Sequence, residues 1–408
     1  MRKMKESGIA WIGQIPEKWN ITKLKYLFSE SIAGEVIDKS YWNDGNEILY
    51  TCQKTPMYSN YPNFPERKRT RNNDLLLTRN ATPYIFIPEQ NSIYSNVVQK
   101  ITLNSNLSKK YVKYALLSGV NSLQVNGDTI PSWNMEVWSN ISIPIMNIKY
   151  QDKIVEFLDK KIAEIDTVID KTKETIEDYK KYKNNFIIKV TTKGLDKNAK
   201  MKDTDSGWIG KIPEHWDFVR INTLFHTVDE RNEDENAMLL SLYTSIGVKP
   251  RSELEEKGNK AVTVLNYKKV KENDIIVNKL LAWMGAIAYS DYEGVTSPDY
   301  DVYRAKEKAN VVRNYYNAYF RHTNFNGDCH RYGHGIMLMR WRTYPEELLR
   351  IKVPNPPYEE QIKIAKVIDD KCSEIDKLIE NKERIIEELE QYKKSLIYEY
   401  VTGKKEVV

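Results

Sequence analysis

Two stretches of the chain carry apolar side chains at alternating steps of three and four residues. Between 155 and 190, nine of eleven positions with this spacing are apolar, and the same holds between 365 and 400. A heptad seam of this length predicts a coiled-coil helix. We therefore expect long helices over 151–193 and 358–408, with regular cores of about 42 residues, or roughly 60 Å at about 1.5 Å per residue.

The seams also share their polar exceptions. Thr172 corresponds to Lys382, and Lys183 corresponds to Lys393. Two apolar seams are buried most simply against each other, so we expect the two helices to pack together. Their role would be structural, as a spacer.

The two segments outside these helices, 1–150 and 194–357, have a different pattern. Short apolar runs, separated by turn residues, predict strands at Asp74–Thr78, Asn96–Leu103, Asp274–Asn278 and Asp301–Arg304. Each segment is rich in Tyr, Asn, Gly and Pro and is expected to fold as a compact α+β domain. Residues 194–205 would be a short linker before the second domain.

The chain is a tandem duplication. Residues 11–19 and 208–216 agree at seven of nine positions, and 67–79 and 151–192 have counterparts at 267–279 and 361–402. Duplicated halves tend to be related by a two-fold axis, which makes the helices antiparallel. We predict an α+β fold of two similar globular domains joined by two long antiparallel coiled-coil helices. The domains would lie at opposite ends of the helical rod, which would act as a ruler.

Composition narrows the class of protein. The chain of 408 residues is 41% hydrophobic and 29% charged, as in ordinary globular proteins, and its net charge is +5. Its three cysteines are scattered, which favours a reducing compartment over a disulfide framework. The first residues lack a signal-peptide pattern, and no apolar run is long enough to span a bilayer. We expect a cytoplasmic protein without a membrane segment.

Two motifs could carry chemistry. Asn355-Pro356-Pro357-Tyr358 matches the short motif of adenine-N6 methyltransferases. The alternative is a proline-rich stop before the second long helix, which we favour because no glycine-rich cofactor loop precedes it. His322, Cys329, His330 and His334 cluster but lack the paired spacing of zinc sites. We predict no catalytic, cofactor or metal site.

The stronger signal is a basic stretch that occurs in both copies before the same Asn-Asp pair. It reads Arg67-Lys68-Arg69-Thr70-Arg71 in the first copy and Lys268-Lys269-Val270-Lys271 in the second. Arg and Lys contact phosphates, while Arg, Asn, Gln and His read base edges. Our predicted DNA-binding residues are Arg67, Lys68, Arg69, Arg71, Arg79, Asn80, Tyr84, Trp133, Lys268, Lys269, Lys271, Lys279, Trp283, His330, Arg331, His334 and Arg340. The segment with His330, Arg331 and His334 has no counterpart in the first copy.

With these features, the sequence resembles the specificity subunit of a type I restriction–modification system. The resemblance rests on the paired Trp-Ile-Gly-x-Ile-Pro-Glu-x-Trp segments, the two long helices, Pro354–Gln361, Asn273–Leu280 and Ser297–Tyr300. It covers essentially the whole chain. The start of the first helix departs from the pattern, because Ile143-Pro144-Ile145-Met146 replaces the double proline.

The resemblance implies what each part does. Each globular domain would be a target recognition domain reading one half of a split, asymmetric site in double-stranded DNA. The helices would set the gap between the halves and form the platform for two methylation subunits, and motor–nuclease restriction subunits would join them. S-adenosylmethionine, ATP and Mg²⁺ would belong to those partners, and this chain would have no chemistry of its own.

Overall fold

The fold is described from a computed structural model of the chain, which covers residues 2–80, 82–122, 133–253, 263–337 and 341–407. The chain forms two compact units. The first unit comprises Met1–Thr172 and Glu383–Val408, and the second comprises Lys173–Lys382. Each unit therefore combines one globular part with segments of both long helices, so the compact units cut across the division of the sequence into globular and helical segments.

The first unit is α+β. Its strands are β1 Met4–Glu6, β2 Gln14–Pro16, β3 Asn20–Lys23, β4 Phe28–Ala33, β5 Trp42–Tyr50, β6 Met57–Ser59, β7 Asp74–Thr78, β8 Ile85–Phe86, β9 Ile93–Tyr94, β10 Val98–Leu103 and β11 Ser142–Ile145. Its helices are α1 Lys109–Ser122, α2 Met135–Asn140 and the beginning of α3, which spans Ile148–Lys193.

The second unit repeats this plan. Its strands are β12 Met201–Asp203, β13 Lys211–Pro213, β14 Asp217–Arg220, β15 Phe225–Val228, β16 Leu240–Tyr243, β17 Gly247–Pro250, β18 Lys268–Val270, β19 Ile275–Asn278, β20 Ile287–Tyr289, β21 Gly294–Thr296, β22 Tyr300–Ala305 and β23 Lys352–Asn355. Its helices are α4 Ile221–Leu224, α5 Arg313–Arg321, α6 Thr323–Tyr332, α7 Pro345–Arg350 and the beginning of α8, which spans Tyr358–Val401.

Both units contain the same four-stranded sheet. Its order is β4-β10-β7-β8 in the first unit and β15-β22-β19-β20 in the second, and all of these pairs are antiparallel. The pair β10–β7 has the same register as the pair β22–β19, because Val98 lies opposite Thr78 in the first and Tyr300 lies opposite Asn278 in the second. The predicted strands are present and differ from the observed ones by at most two residues at an end.

The long helices differ from prediction at their ends. Helix α3 begins at residue 148 rather than 151, because the Asn147 side chain accepts the Tyr150 N–H at 2.9 Å and caps the first turn. Helix α8 ends at Val401 and not at 408. Gly403 follows with φ +71°, a left-handed conformation that ends helices and that glycine adopts at little cost.

Within each unit the two helix segments run antiparallel. In the first unit Phe157 stacks on Tyr400, with ring centroids 4.4 Å apart, and Asp166 bonds to Lys393 at 2.7 Å. Later residues of α3 thus meet earlier residues of α8, and the predicted fold class is confirmed.

Two of the four polar exceptions in the seams, Lys183 and Lys393, pair across the helices. Lys183 contacts Asp376 at 2.6 Å, and its repeat counterpart Lys393 contacts Asp166 at 2.7 Å. The two aspartates are themselves counterparts. Burial opposes the charge of Lys393, but the hydrogen bonds that its ammonium donates to Asp166 and Glu390 outweigh burial and raise the pKa of Lys393. Each lysine is therefore matched to the helix beside it, which favours one register of the pair.

The repeated nine-residue segments, 11–19 and 208–216, are called the nonapeptides. The nonapeptide of the first copy packs against the C-terminal end of α8. Lys404 donates from Nζ to the Ile12 carbonyl at 2.7 Å. The ring of Trp19 lies so close to Gly403 that a Cβ there would approach it to 2.8 Å. The end of the last helix is thus fastened to the first globular part.

The second nonapeptide holds the end of α3 in the same way. Lys193, the last residue of that helix, donates from Nζ to the Ile209 carbonyl at 2.7 Å. Gly194, with φ +72°, lies against Trp216, whose ring would be 3.1 Å from an added Cβ. This shared docking explains why the nonapeptide occurs twice.

No helix in the described part of the chain is both long and apolar enough to cross a membrane.

Replacing Gly403 with Ala tests this docking. The new Cβ would lie 2.6 Å from Pro16 and 2.8 Å from Trp19, in a backbone conformation that disfavours it. We expect a loss of about 2–4 kcal/mol from left-handed strain together with overpacking. The measurement is the urea midpoint of the full chain.

Two further glycines serve as controls. Gly210→Ala carries the strain alone, since φ is +66° and nothing lies within 4 Å, and Gly207→Ala carries neither effect. We expect the urea midpoint to be highest for Gly207→Ala, lower for Gly210→Ala and lowest for Gly403→Ala. Equal midpoints for the last two would contradict a packing role for Gly403.

Candidate nucleic-acid interface

A buried aspartate fixes the basic stretch of the first unit. Asp74 Oδ2 accepts the Arg71 N–H at 2.7 Å, and Oδ1 accepts the Thr102 hydroxyl at 2.6 Å. The buried ammonium of Lys100 lies 3.6 Å away. The turn before β7 is therefore tied to the sheet, and residues 67–71 are held in one conformation.

The basic side chains of this stretch have two different environments. Lys68 pairs with Glu35 at 2.6 Å, and Arg69 pairs with Glu47 at 2.8 Å, so both are used within the fold. Arg67 and Arg71 are exposed. Arg67 and Arg71 are thus the side chains that can contact a polyanion, while Lys68 and Arg69 stabilise the stretch from within.

The predicted residues that follow β7 are only partly accessible. Arg79 is half-buried and donates to the Asn96 carbonyl at 3.3 Å, and Asn80 is exposed. Tyr84 is half-buried beside Phe86. Trp133 is 4% exposed and packs on Trp138, with ring centroids 5.6 Å apart. Its ring belongs to the core and leaves little surface for a base.

The second unit repeats the anchor with a stronger partner. Asp274 accepts the Lys271 N–H at 2.8 Å and receives two hydrogen bonds of 2.7 Å from Arg304. The hydrogen bonds to Asp274 raise the pKa of Arg304. Lys269 and Lys271 are exposed, whereas in the first unit only Arg71, the counterpart of Lys271, is exposed and Arg69, the counterpart of Lys269, is half-buried.

Asp301 engages two of the predicted lysines. Its carboxylate lies 3.0 Å from buried Lys268 and 3.7 Å from Lys279. Lys268 is thus a structural ion pair, and Lys279 must leave a carboxylate to meet a phosphate. Arg79, the counterpart of Lys279, bonds to a neutral carbonyl instead. Because of this difference, the two repeat positions are electrostatically unequal.

The segment found only in the second copy forms an aromatic stack. The rings of His330 and Trp341 are 4.7 Å apart and nearly parallel, and Trp283 meets His330 edge-on at 5.7 Å. Arg331 and His334 are exposed beside this stack. The indole N–H groups of Trp283 and Trp341 already donate to the Leu280 and His330 carbonyls, so these two rings would meet a base by stacking and not through their N–H groups. Arg340 lies outside the described residues.

The histidine–cysteine cluster does not form a metal site. His322 is buried and its Nδ1 accepts the Phe325 N–H at 3.1 Å, while burial raises the pKa of the Cys329 thiol. His330 is committed to the stack with Trp341. In the part of the chain that the structure covers, no three His, Cys, Asp or Glu side chains are placed to share a metal ion.

Asn355–Tyr358 joins the end of β23 to the first residue of α8. The Asn355 amide oxygen accepts from the Tyr316 hydroxyl at 2.8 Å and from Gln361 at 3.2 Å, while Gln361 also bonds to the Pro356 carbonyl at 2.9 Å. The asparagine is thus used to close the turn before α8. A methyltransferase motif must present these groups to a substrate, so the structural interpretation is the better one.

Sequence reasoning missed two sets of residues. Asp74 and Asp274, which position the basic stretches, were seen only as part of an Asn-Asp turn; their occurrence at equivalent places in both copies was a usable signal. Arg220 and Arg350 also escaped notice, although they line a cavity with Arg331. They are far apart in sequence, and no local pattern joins them.

Comparison with known proteins agrees with this picture. The family model of the type I restriction modification DNA specificity domain matches residues 16–178 and 213–391. The chain therefore belongs to this family. It is a DNA-specificity protein and not an enzyme, as predicted.

Particular relatives are more distant. The type I restriction enzyme MjaVIII specificity subunit of Methanocaldococcus jannaschii is 24% identical over 220 residues, which is 51% of this chain and 49% of that protein. The chain thus spans about half the length of this curated relative.

Solved structures extend the comparison to the fold. One, described as "Structural basis underlying complex assembly and conformational transition of the type I R-M system", is 13% identical and has a TM-score of 0.67, covering 96% of this chain and 99% of that one. The HsdS subunit of Thermoanaerobacter tengcongensis is 14% identical with a TM-score of 0.49, covering 96% and 98% of the two chains. The first of these shares the fold of this chain.

His322 predicts a pH dependence of stability. Burial lowers the pKa of this imidazole from 6.5 to about 3 in the folded protein. The unfolded chain therefore binds the extra proton first, and the stabilisation present above pH 6.5 is lost as pH falls toward 3, by up to about 1.4 kcal/mol per pH unit.

The variant His322→Asn keeps a cap for α6 and removes the titration. We expect its unfolding free energy to fall less steeply than the wild type's between pH 6.5 and pH 4, measured by urea unfolding. The matched control is His226→Asn, since His226 is exposed. A slope unchanged by His322→Asn would show that other groups dominate acid unfolding.

Proposed function

We propose that the chain is the specificity subunit of a type I restriction–modification complex and reads a bipartite, asymmetric target in double-stranded DNA. The observation that carries this proposal is the repeated basic stretch, anchored by Asp74 in one unit and by Asp274 in the other. Two similar surfaces on one chain suit two half-sites. The differences between them suit half-sites of different sequence.

The accessible side chains divide by chemistry. Residues suited to phosphates are Arg67, Arg71, Arg79, Lys269, Lys271 and Lys279, and those suited to base contacts are Asn80, Tyr84, Trp283, His330, Arg331 and His334. Arg340, outside the described residues, stays a prediction from the sequence. Lys68, Arg69, Lys268 and Trp133 would support the surface from within, because their ion pairs or burial already engage them.

Arg79→Ala tests the first half-site. If Arg79 contacts a phosphate, affinity falls for all DNA sequences and the salt slope flattens by about 1; if it reads a base, the loss is about 1–3 kcal/mol at one position. Lys279→Ala should have a smaller effect, because Asp301 already holds that lysine. Binding is measured against salt concentration with target and random duplexes.

The control for this test is Lys160→Ala, which removes an exposed cation from α3. It should leave affinity and salt slope as in the wild type. Wild-type behaviour of Arg79→Ala would remove Arg79 from the interface.

The long helices would set the spacing of the half-sites. A seven-residue insertion near Ile169 and another near Ile379 keep the seam in register and lengthen each helix by about 10 Å. At about 3.4 Å per base pair, the unread gap could grow by up to about three base pairs.

Methylome sequencing with the methylation subunit measures the gap directly. A longer gap with unchanged half-sites is expected, although the added base pairs also rotate one half-site and can abolish binding. A motif with unaltered spacing in an active complex would rule out the ruler.

A second apolar stripe on the helices supports docking of two methylation subunits. On α8, Leu378, Ile385 and Tyr392 recur every seven residues and are 38%, 37% and 53% exposed. Their counterparts on α3 include exposed Val168 and Tyr182. A heptad stripe outside the internal seam suits a further helix from a partner. S-adenosylmethionine, ATP and Mg²⁺ would act in the methylation and restriction subunits.

Ile385→Glu tests this platform. A charge in the stripe should raise at least tenfold the protein concentration at which the methylation subunit co-elutes with the chain on size exclusion. DNA binding by the isolated chain should stay unchanged. Lys377→Glu, exposed one position from Leu378, is the control and should co-elute normally. Unchanged assembly of Ile385→Glu would place the platform elsewhere.

A further inference from the structure

A cavity of about 340 Å³ in the second unit gathers positive charge. It lies among the β14–β23 strand pair, the end of α6 and the end of α7. Four cationic side chains line it, namely Arg220, Arg331, Arg350 and Lys352, together with Asp205, Asp328, Phe218 and Tyr332. The lining is thus mainly cationic and has aromatic rings in its walls.

The two carboxylates can offset only two of these four positive charges. Asp205 pairs with Lys352. Asp328 accepts the Trp208 indole N–H at 2.8 Å, and burial raises the pKa of its carboxyl.

The three guanidinium groups of the cavity, those of Arg220, Arg331 and Arg350, have no carboxylate within 4.0 Å among the residues described. Gathering like charges costs free energy unless an anion offsets their repulsion.

Strand pairing brings two of the cations together. Arg220 on β14 lies directly opposite Lys352 on β23 in the antiparallel register. Like charges at such positions destabilise a strand pair. Asp205 offsets the charge of Lys352 in this pair, whereas Arg220 has no carboxylate within 4.0 Å among the described residues, so its charge is available to a bound anion.

The first copy provides an internal comparison. There Lys23 lies opposite Ser142, and its ammonium bonds to the Asn140 amide at 3.1 Å. The second copy has Arg220, Lys352 and Arg350 at these positions, and Arg331 is added by the segment unique to that copy. The cations were thus accumulated on one copy of an otherwise repeated framework, which the fold itself does not require.

We propose that this cavity is a binding site for a phosphate group. Arginine forks match the oxygens of a tetrahedral phosphate and form charge-assisted hydrogen bonds with it. Phe218 and Tyr332 offer ring faces for a sugar or base attached to that phosphate. The phosphate can come from the DNA backbone or from a free phosphate ester, and only the first source rests on the proposed function.

The experiment uses the full chain and inorganic phosphate as the probe. The variant Arg350→Asn/Lys352→Ser installs the residues that the first copy carries, so a foldable alternative is already known within the same chain. The charge-matched control is Lys160→Asn/Lys377→Ser on the exposed faces of the long helices. Binding is followed by isothermal titration and by the thermal midpoint, with chloride at equal ionic strength as the reference.

We expect saturable phosphate binding by the wild type and the control, and at least tenfold weaker binding by the cavity variant. Duplex DNA distinguishes the sources. If the phosphate belongs to DNA, the cavity variant also loses affinity for DNA with a smaller salt slope, and inorganic phosphate competes with DNA. If it belongs to a free ester, DNA binding is unchanged while phosphate binding is lost.

The outcome that overturns the site is equal phosphate binding by wild type and cavity variant, or no saturable binding by the wild type together with unchanged DNA binding by the variant. Failure of the wild type to bind any DNA would instead count against the proposed function. The inorganic phosphate titration is independent of that result.

Discussion

The structure depends on how the C-terminal ends of the two long helices are held. At the end of a helix a left-handed residue lets the chain turn away, and the end must then be held against the rest of the fold. Here a lysine donates to an Ile-Gly carbonyl of the nonapeptide while tryptophan covers the glycine, with Lys404 and Gly403 in one unit and Lys193 and Gly194 in the other. Each globular part is thus built on the start of one helix and the end of the other.

The sequence was sufficient for features that repeat or have a regular period. The heptad seams predicted both helices, and the duplication predicted that the two globular parts are similar. The helix ends differ from the predicted ones because they depend on single residues outside the seam. Asn147 caps α3 three residues before the predicted start, and Gly403 ends α8 after Val401. The Lys–Asp pairs between the helices escaped prediction, because the seam shows an unmatched lysine and does not show its partner.

The candidate site was less predictable, because charge alone does not tell a surface cation from a structural one. Lys68 and Lys268 belong to the same basic stretches as Arg71 and Lys271, yet the first two are engaged by Glu35 and Asp301. Their partners lie more than 30 residues away along the chain. Only the tertiary fold separates the cations that brace a surface from those that can leave water for a phosphate, and the same reasoning applies to the buried ring of Trp133.

Two periodic patterns on the same helices limit how the proposed ruler can change. The inner seam holds the helices together, and the outer stripe with Leu378, Ile385 and Tyr392 is exposed every seven residues. An insertion that is not a multiple of seven would rotate all residues beyond it about the helix axis. The seam and the stripe would then both face away from their partners. Length changes that preserve both patterns come in steps of about 10 Å, or roughly three base pairs. If a partner helix binds the outer stripe, the spacing of half-sites can change only in such steps, whereas changes to the loops of each globular part leave it untouched. Spacing and half-site sequence are then separate properties of one chain.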